Sequence, residues 1–162
     1  MLRPENDCFI KGQFFIEGQS RSLGEGKTGY AMTIPPVPRI PVSWGELIDK
    51  LTILEIKTER LPAEEARANA SREFSLLREI AAPILGGDDI KALVARLKTL
   101  NEKLWEIEDR IRDHERAKDF GADFIELARA VYKHNDERGQ LKRNINLALG
   151  SGLIEEKSYR PY

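Results

Sequence analysis

The segment IKALVARLKTLNEKLWEIEDRI, residues 90–111, carries a regular pattern of apolar residues. Leucine and isoleucine recur at alternating spacings of three and four, at Ile90, Leu93, Leu97, Leu100, Leu104, Ile107 and Ile111. This spacing places all seven side chains on one helical face, and over three heptads it is typical of coiled-coil-like packing. The pattern predicts a long helix over about residues 89–118.

Three further segments have helical periodicity, over about residues 43–60, 63–82 and 122–149. The first opens on Ser43-Trp44-Gly45-Glu46, which matches a capping box, and it is apolar on more than one face. Such a helix is either central in a bundle or in contact with a second subunit. Few residues join the last two helices, so they are expected to be antiparallel. The predicted fold class is all-α: an antiparallel four-helix bundle with coiled-coil-like long helices and an irregular N-terminal segment.

Residues 1–42 differ from the rest because they are rich in glycine and proline and hold no sustained periodicity. They are predicted to form a flexible N-terminal segment, followed by a bundle domain over residues 43–150 and a tail over 151–162. Met32 is a plausible start, so residues 1–31 are either an extension from an upstream start or a genuine flexible N-terminus. Gly150 is expected to cap the last helix.

Composition restricts the class of partner. The 162-residue chain is 41% hydrophobic and 33% charged, with a formal net charge of -1. It therefore has no overall basic field to attract nucleic acid or an anionic membrane. The only cysteine is Cys8, and no apolar run approaches the roughly 20 residues of a membrane span. A cytoplasmic protein without nucleic-acid or membrane partners is expected.

Polar residues interrupt the apolar stripe of the last predicted helix, in AVYKHNDERGQLKRNIN, residues 130–146. A heptad frame puts His134 and Arg138 at core positions. A buried polar group without a partner costs about 1–3 kcal/mol, so these side chains need partners. The candidate polar-layer or ligand-binding residues are His134, Asn135, Arg138, Lys142, Lys50 and Lys57.

Three interpretations of this polar stretch stay open. It is a satisfied polar layer that fixes helix register, a surface or subunit contact, or a pocket in which Arg138 and a lysine bind a small anion. Gly139, inside the same helix, indicates close approach of a backbone or a ligand. No cofactor or metal is expected, because neither His114 nor His134 is preceded by the Glu-x-x-His pattern of di-iron bundles.

Two function classes follow. The first is a non-enzymatic structural or protein-interaction module that forms a homo-oligomer or binds a helical partner. The alternative is a small enzyme or binder of an anionic metabolite that uses the polar layer.

Three strings, PVSWGELIDKLTILEIKTERL (41–61), LARAVYKHNDERGQLKRNIN (127–146) and EEKSY (155–159), resemble a family of short bacterial and phage proteins classed as a domain of unknown function. The resemblance covers residues 36–162 and implies a compact α-helical protein. It implies no activity and no site residue. Ile48-Asp49 and nearby basic residues are also faintly similar to the first helix of helical chorismate mutases, an analogy of fold only.

Overall fold

The computed structural model describes residues 39–158, and within that range it contains four α-helices and no strand. The helices are α1 (Trp44–Arg60), α2 (Glu64–Ala81), α3 (Asp88–Ala117) and α4 (Ala122–Ala148), with a short 3₁₀ turn, Ala82–Ile84, after α2. Each predicted boundary lies at or next to the observed one. The prediction of an all-α helical bundle is therefore confirmed.

The described residues from Val42 onward form one compact unit. Of the predicted N-terminal segment only residues 39–42 are described, and they contain no helix. The predictions made for residues 1–31, for a start at Met32 and for residues 159–162 lie outside the described residues. No helix of the described part is long and apolar enough to cross a membrane.

Helix α1 begins as its sequence predicts. The Ser43 hydroxyl accepts a hydrogen bond from the Glu46 amide at 3.2 Å, which satisfies one of the free amides of the first turn. The side chain of Glu46 pairs with Lys142 of α4. Helix α1 packs against α2, α3 and α4, and Ile48 and Ile56 are both almost fully buried. This central position explains why α1 is apolar on more than one face.

Helix α2 packs mainly along α1. Its buried or half-buried stripe runs through Ala70, Phe74, Leu77 and Ala81. The side chain of Ile80, by contrast, is 57% exposed. A helix at the edge of a bundle buries only the narrow stripe that meets its neighbour, and Ile80 falls beside that stripe.

Helices α3 and α4 pack along each other and are joined by residues 118–121. The ring of Phe124 contacts Phe120 and His114 edge to face, with centroid distances of 5.2 and 6.3 Å. The short connection is consistent with the antiparallel packing that the sequence predicts. At the far end of α4, Gly150 adopts a left-handed φ of 59°, and so caps the helix as expected.

Candidate functional site

A two-pronged ion pair joins α1 to α4. Asp49 accepts hydrogen bonds from two nitrogens of Arg138, with 2.8 Å from Nε to Oδ1 and 2.6 Å from Nη2 to Oδ2. The side chains are only 6% and 11% exposed, respectively. A two-pronged arginine–carboxylate contact of this kind is stronger and more directional than a single hydrogen bond. It fixes α1 and α4 relative to each other.

Helix α3 joins the same contact through Asn101, which is fully buried. Its side-chain nitrogen donates to Asp49 Oδ1 at 3.0 Å and to Thr52 Oγ1 at 2.9 Å. Asn135 of α4 accepts from Arg138 at 3.4 Å. We call Asp49, Thr52, Asn101, Asn135 and Arg138 the polar layer. Through Asp49 this layer connects three helices.

The polar layer is almost fully satisfied. Within residues 39–158, the side-chain oxygen of Asn101 is the one buried side-chain polar atom without a hydrogen-bond partner. Since nearly every other polar atom of the layer bonds to another part of the same chain, the desolvation cost of burying these groups is largely offset.

One turn further along α4, Lys142 lies between two carboxylates. Its ammonium pairs with Glu46 of α1 and, at 2.7 Å, with Glu155 of the C-terminal tail. The Lys142 side chain is 9% exposed. We call Glu46, Lys142 and Glu155 the carboxylate clasp. It joins α1, α4 and the chain that follows α4.

The carboxylate clasp shifts the pKa values of its members. Burial alone lowers the pKa of Lys142, but hydrogen bonds to Glu155 and Glu46 outweigh burial, so that the net shift is upward. Burial raises the pKa of Glu46, with a further contribution from the nearby Glu155 carboxylate. For Glu155 burial acts in the same direction, but its contacts with Lys142 and Glu46 prevail and its pKa is lowered.

The first turn of α1 lies directly against the end of α4. The amide of Gly45 donates to the side-chain oxygen of Asn146 at 2.6 Å. The amide of Trp44 donates to the hydroxyl of Ser151 at 3.4 Å. A β-carbon at Gly45 would be 2.5 Å from the carbonyl oxygen of Lys142. The glycine therefore allows two helix backbones to come closer than any side chain permits.

The structure divides the six residues that the sequence singled out. Asn135 and Arg138 belong to the polar layer, and Lys142 to the carboxylate clasp. His134 is 30% exposed beside Glu137, with 3.7 Å between Nδ1 and Oε2. His134 thus lies outside the layer, because the polar positions of α4 follow the spacing Asn135, Arg138, Lys142, Asn146.

The two candidate lysines of α1 lie on another side of that helix. Lys50 is half exposed and its ammonium is 2.6 Å from a Glu73 oxygen on α2. Burial lowers the pKa of Lys57, and the charge of Glu73 opposes that shift. Among the described contacts, neither lysine bonds to Arg138. Lys50 and Lys57 therefore belong to the α1–α2 side of the bundle and not to the polar layer.

Sequence reasoning missed the residues that complete these contacts, namely Asp49, Gly45, Glu46, Asn146 and Glu155. Asp49 had no clear local signal, because side chains one or two positions apart on a helix do not face each other, so its apolar neighbours in sequence do not show that it is buried. Gly45 had one, since glycine in a first helical turn weakens the helix unless something approaches closely.

The cation of the polar layer, Arg138, is bound by the carboxylate of Asp49 in the same chain. Within residues 39–158 no three histidine, cysteine, aspartate or glutamate side chains are grouped to hold a metal ion. A cavity of about 230 Å³ lies between α1, α2 and α3; Thr52 of the polar layer lines it, but Arg138 and His134 do not. Its walls are Ile48, Leu51, Thr52, Glu55, Phe74, Arg78, Leu85 and Val94.

The fold and these contacts define a helical bundle held together by an internally paired polar layer. Residues 38–161 match the family of unknown function DUF6165, and the chain belongs to that family. The matched span contains all four helices, the polar layer and the carboxylate clasp. No curated protein and no solved structure matches the chain.

Proposed function

We propose that this protein is a non-enzymatic helical interaction module, active in the cytoplasm, whose polar layer holds its helices in register. The observation that carries this proposal is the pairing of Arg138 with Asp49. The guanidinium that an anionic ligand would need is already bound by both oxygens of a carboxylate of the same chain.

An anionic metabolite would have to displace that carboxylate. Asp49 is 6% exposed, and without Arg138 it would keep only the hydrogen bond from Asn101 as a side-chain contact across the bundle. Leaving a buried charge without its partner costs about 3–5 kcal/mol. This cost favours a polar layer that holds the helices in register over one that binds a ligand.

Exposed apolar side chains on the outer helix faces support a role in protein interaction. Leu76 and Ile80 are one turn apart on α2, and each is 57% exposed. Side chains four residues apart lie side by side on a helix. A helical partner or a second copy of the chain would remove this pair from water, worth about 25 cal/mol for each Å² of apolar surface buried.

The variant Asp49→Leu/Arg138→Leu tests the proposal against the alternative of an anion-binding protein or enzyme. Melting temperatures of the wild type and the variant are measured with a panel of carboxylated and phosphorylated metabolites. Under the proposal, no metabolite shifts the melting temperature of the wild type, and the variant stays folded. A metabolite that raises the wild-type melting temperature, with the rise lost in the variant, would establish the alternative.

Light scattering tests the interaction role. A homo-oligomer of the wild type that dissociates when Leu76 and Ile80 are both replaced by serine is the expected result. As a matched control, Ile125 on α4, 54% exposed, is replaced by serine and is expected to leave the mass unchanged.

A further inference from the structure

The chain after α4 turns back and places two adjacent carboxylates on two adjacent cations. Glu155 is 2.7 Å from the ammonium of Lys142, and Glu156 is 2.9 Å from a guanidinium nitrogen of Arg143. We call residues 151–158 the C-terminal tail, and we call Gly139, Lys142 and Arg143 the basic face of α4. The basic face thus already holds an acidic peptide, supplied by the same chain.

The C-terminal tail is attached to this face by side chains. Its reversal is fixed by Gly150, after which the amide of Ser151 donates to the carbonyl of Asn146 at 2.8 Å. Among residues 39–158, no backbone–backbone hydrogen bond of the tail lies beyond Ser151. Leu153 and Ile154 stay 48% and 38% exposed, so apolar burial adds little.

Attachment of this kind is weak. Arg143 and Glu156 are 41% and 76% exposed, and exposed ion pairs contribute only about 0–1 kcal/mol each. The contact of Glu155 with the buried Lys142 is the stronger of the two. If the tail leaves, Lys142 keeps only Glu46 of its two carboxylates, and Arg143 has no other carboxylate partner among the described ion pairs.

We infer that the basic face of α4 binds an acidic segment of a partner protein, in the place that the C-terminal tail occupies in the free protein. This inference rests on the proposed role as an interaction module and names the chemistry of its partner. The partner segment is extended and carries two consecutive carboxylates, one for Lys142 and one for Arg143.

Gly139 adds a third element of recognition. The side chain of Lys157 crosses this glycine, and its Nζ, Cδ and Cε would be 3.4 to 3.7 Å from a β-carbon there. A long side chain one residue after the acidic pair therefore lies over the backbone of Gly139. The partner motif that fits is therefore two acidic residues followed by a long flexible side chain.

The tail competes with the partner segment because it is tethered. A short tether holds its end at an effective concentration in the millimolar range, which masks the basic face from a dilute ligand. Weakening the tail exposes the face, so a variant with a neutral tail is the sensitive form for a binding experiment.

The experiment uses the labelled peptide GLIEEKS, identical to residues 152–158, and the control peptide GLIQQKS. Fluorescence anisotropy measures binding of each to the full chain as wild type and as Glu155→Gln/Glu156→Gln. We expect GLIEEKS to bind the neutral-tail variant several-fold more tightly than the wild type, because the competing tail is removed. GLIQQKS is expected not to bind, and affinity for GLIEEKS is expected to fall between about 50 and 300 mM salt.

Two added substitutions locate the binding surface. Arg143→Glu in the neutral-tail chain is expected to remove binding of GLIEEKS. Lys133→Glu, an exposed charge reversal on the same helix, is expected to keep it. The buried Lys142 is left intact so that folding is preserved, which circular dichroism verifies.

Equal binding of the two peptides, no binding to the neutral-tail variant, or binding that survives Arg143→Glu would overturn the inference. None of these results bears on the proposed function, because the metabolite test depends on Asp49 and Arg138 and the light-scattering test on α2. If the metabolite or light-scattering test fails, the result of the peptide measurement can still be interpreted.

Discussion

The backbones of Gly45 and Lys142 lie so close that a β-carbon on Gly45 would be 2.5 Å from the Lys142 carbonyl oxygen. This contact positions the start of α1 on the end of α4. Around it are the hydrogen bond from Gly45 to Asn146 and the ion pair between Glu46 and Lys142. The two helices are thus joined by close packing and by charge at the same place.

Gly45→Ala is expected to destabilise the protein by about 1–3 kcal/mol, the usual cost of overfilling a packed site. The obstacle is a helix backbone, which cannot move aside without disturbing Asn146 and Lys142. Gly139→Ala is the matched control, since its new β-carbon meets only the flexible Lys157 side chain at ordinary distances.

At Gly139 alanine is expected to stabilise the helix by about 0.5–1 kcal/mol. Urea unfolding measures both variants. Equal effects of the two substitutions would contradict the assignment of the close contact to Gly45.

A double-mutant cycle on the polar layer is expected to be strongly non-additive. Asp49→Leu or Arg138→Leu alone leaves one buried charge without its partner and is expected to cost about 3–5 kcal/mol. The double replacement removes both charges and is expected to cost far less than the sum. Free energies of unfolding from urea titration at pH 7 give the coupling energy. Additive single effects would show that the pair does not hold α1 against α4.

Glu46→Gln is expected to change how stability varies with pH. The pKa of Glu46 is raised by burial, so the folded state holds this proton more tightly than the unfolded chain. Its contribution is complete below the ordinary value of 4.5 and is lost as pH rises through the raised pKa. Relative to Glu46→Gln, the wild type should therefore lose stability as the pH rises from 4.5 to the raised pKa of Glu46.

Glu155→Gln is expected to act with the opposite sign. The pKa of Glu155 is lowered, so its contribution is present above the ordinary value and is lost as pH falls through the lowered pKa. Replacement by glutamine should flatten the acid limb of the stability profile. Thermal melts between about pH 3 and pH 8 test both variants. Identical profiles for the two would contradict the assigned directions.

Ser43→Ala is expected to cost about 1 kcal/mol, because the hydroxyl caps the Glu46 amide at the start of α1. Ser75→Ala is the matched control, since its exposed hydroxyl donates only to a carbonyl within α2. Melting temperatures compare the two, and a loss at Ser75 as large as that at Ser43 would argue against the capping role.

Local features of the chain were predictable because they depend on neighbours in sequence. The spacing of leucines in α3, the Ser43 cap and the reversal at Gly150 each depend on residues within one or two turns. A heptad frame also indicated that polar side chains of α4 enter the core, and Arg138 and Lys142 are indeed buried.

The same frame placed His134 at a core position, whereas its side chain is 30% exposed beside Glu137. The glycine at position 139 indicated close approach of a backbone or a ligand, and in the structure the side chain of Lys157 lies over it. The partner of Arg138 was not predicted, because Asp49 is 89 residues away and several acidic residues were equally available.

The sequence by itself determined four helices, their ends and the need for partners in a polar stretch, since periodicity and capping are local properties of the chain. Only the tertiary structure decided which carboxylate meets Arg138, why Gly45 must be glycine and where the C-terminal tail lies. The physical reason is that these contacts depend on the relative rotation and separation of helices. Those quantities are set by packing the whole bundle at once, and no single segment contains them.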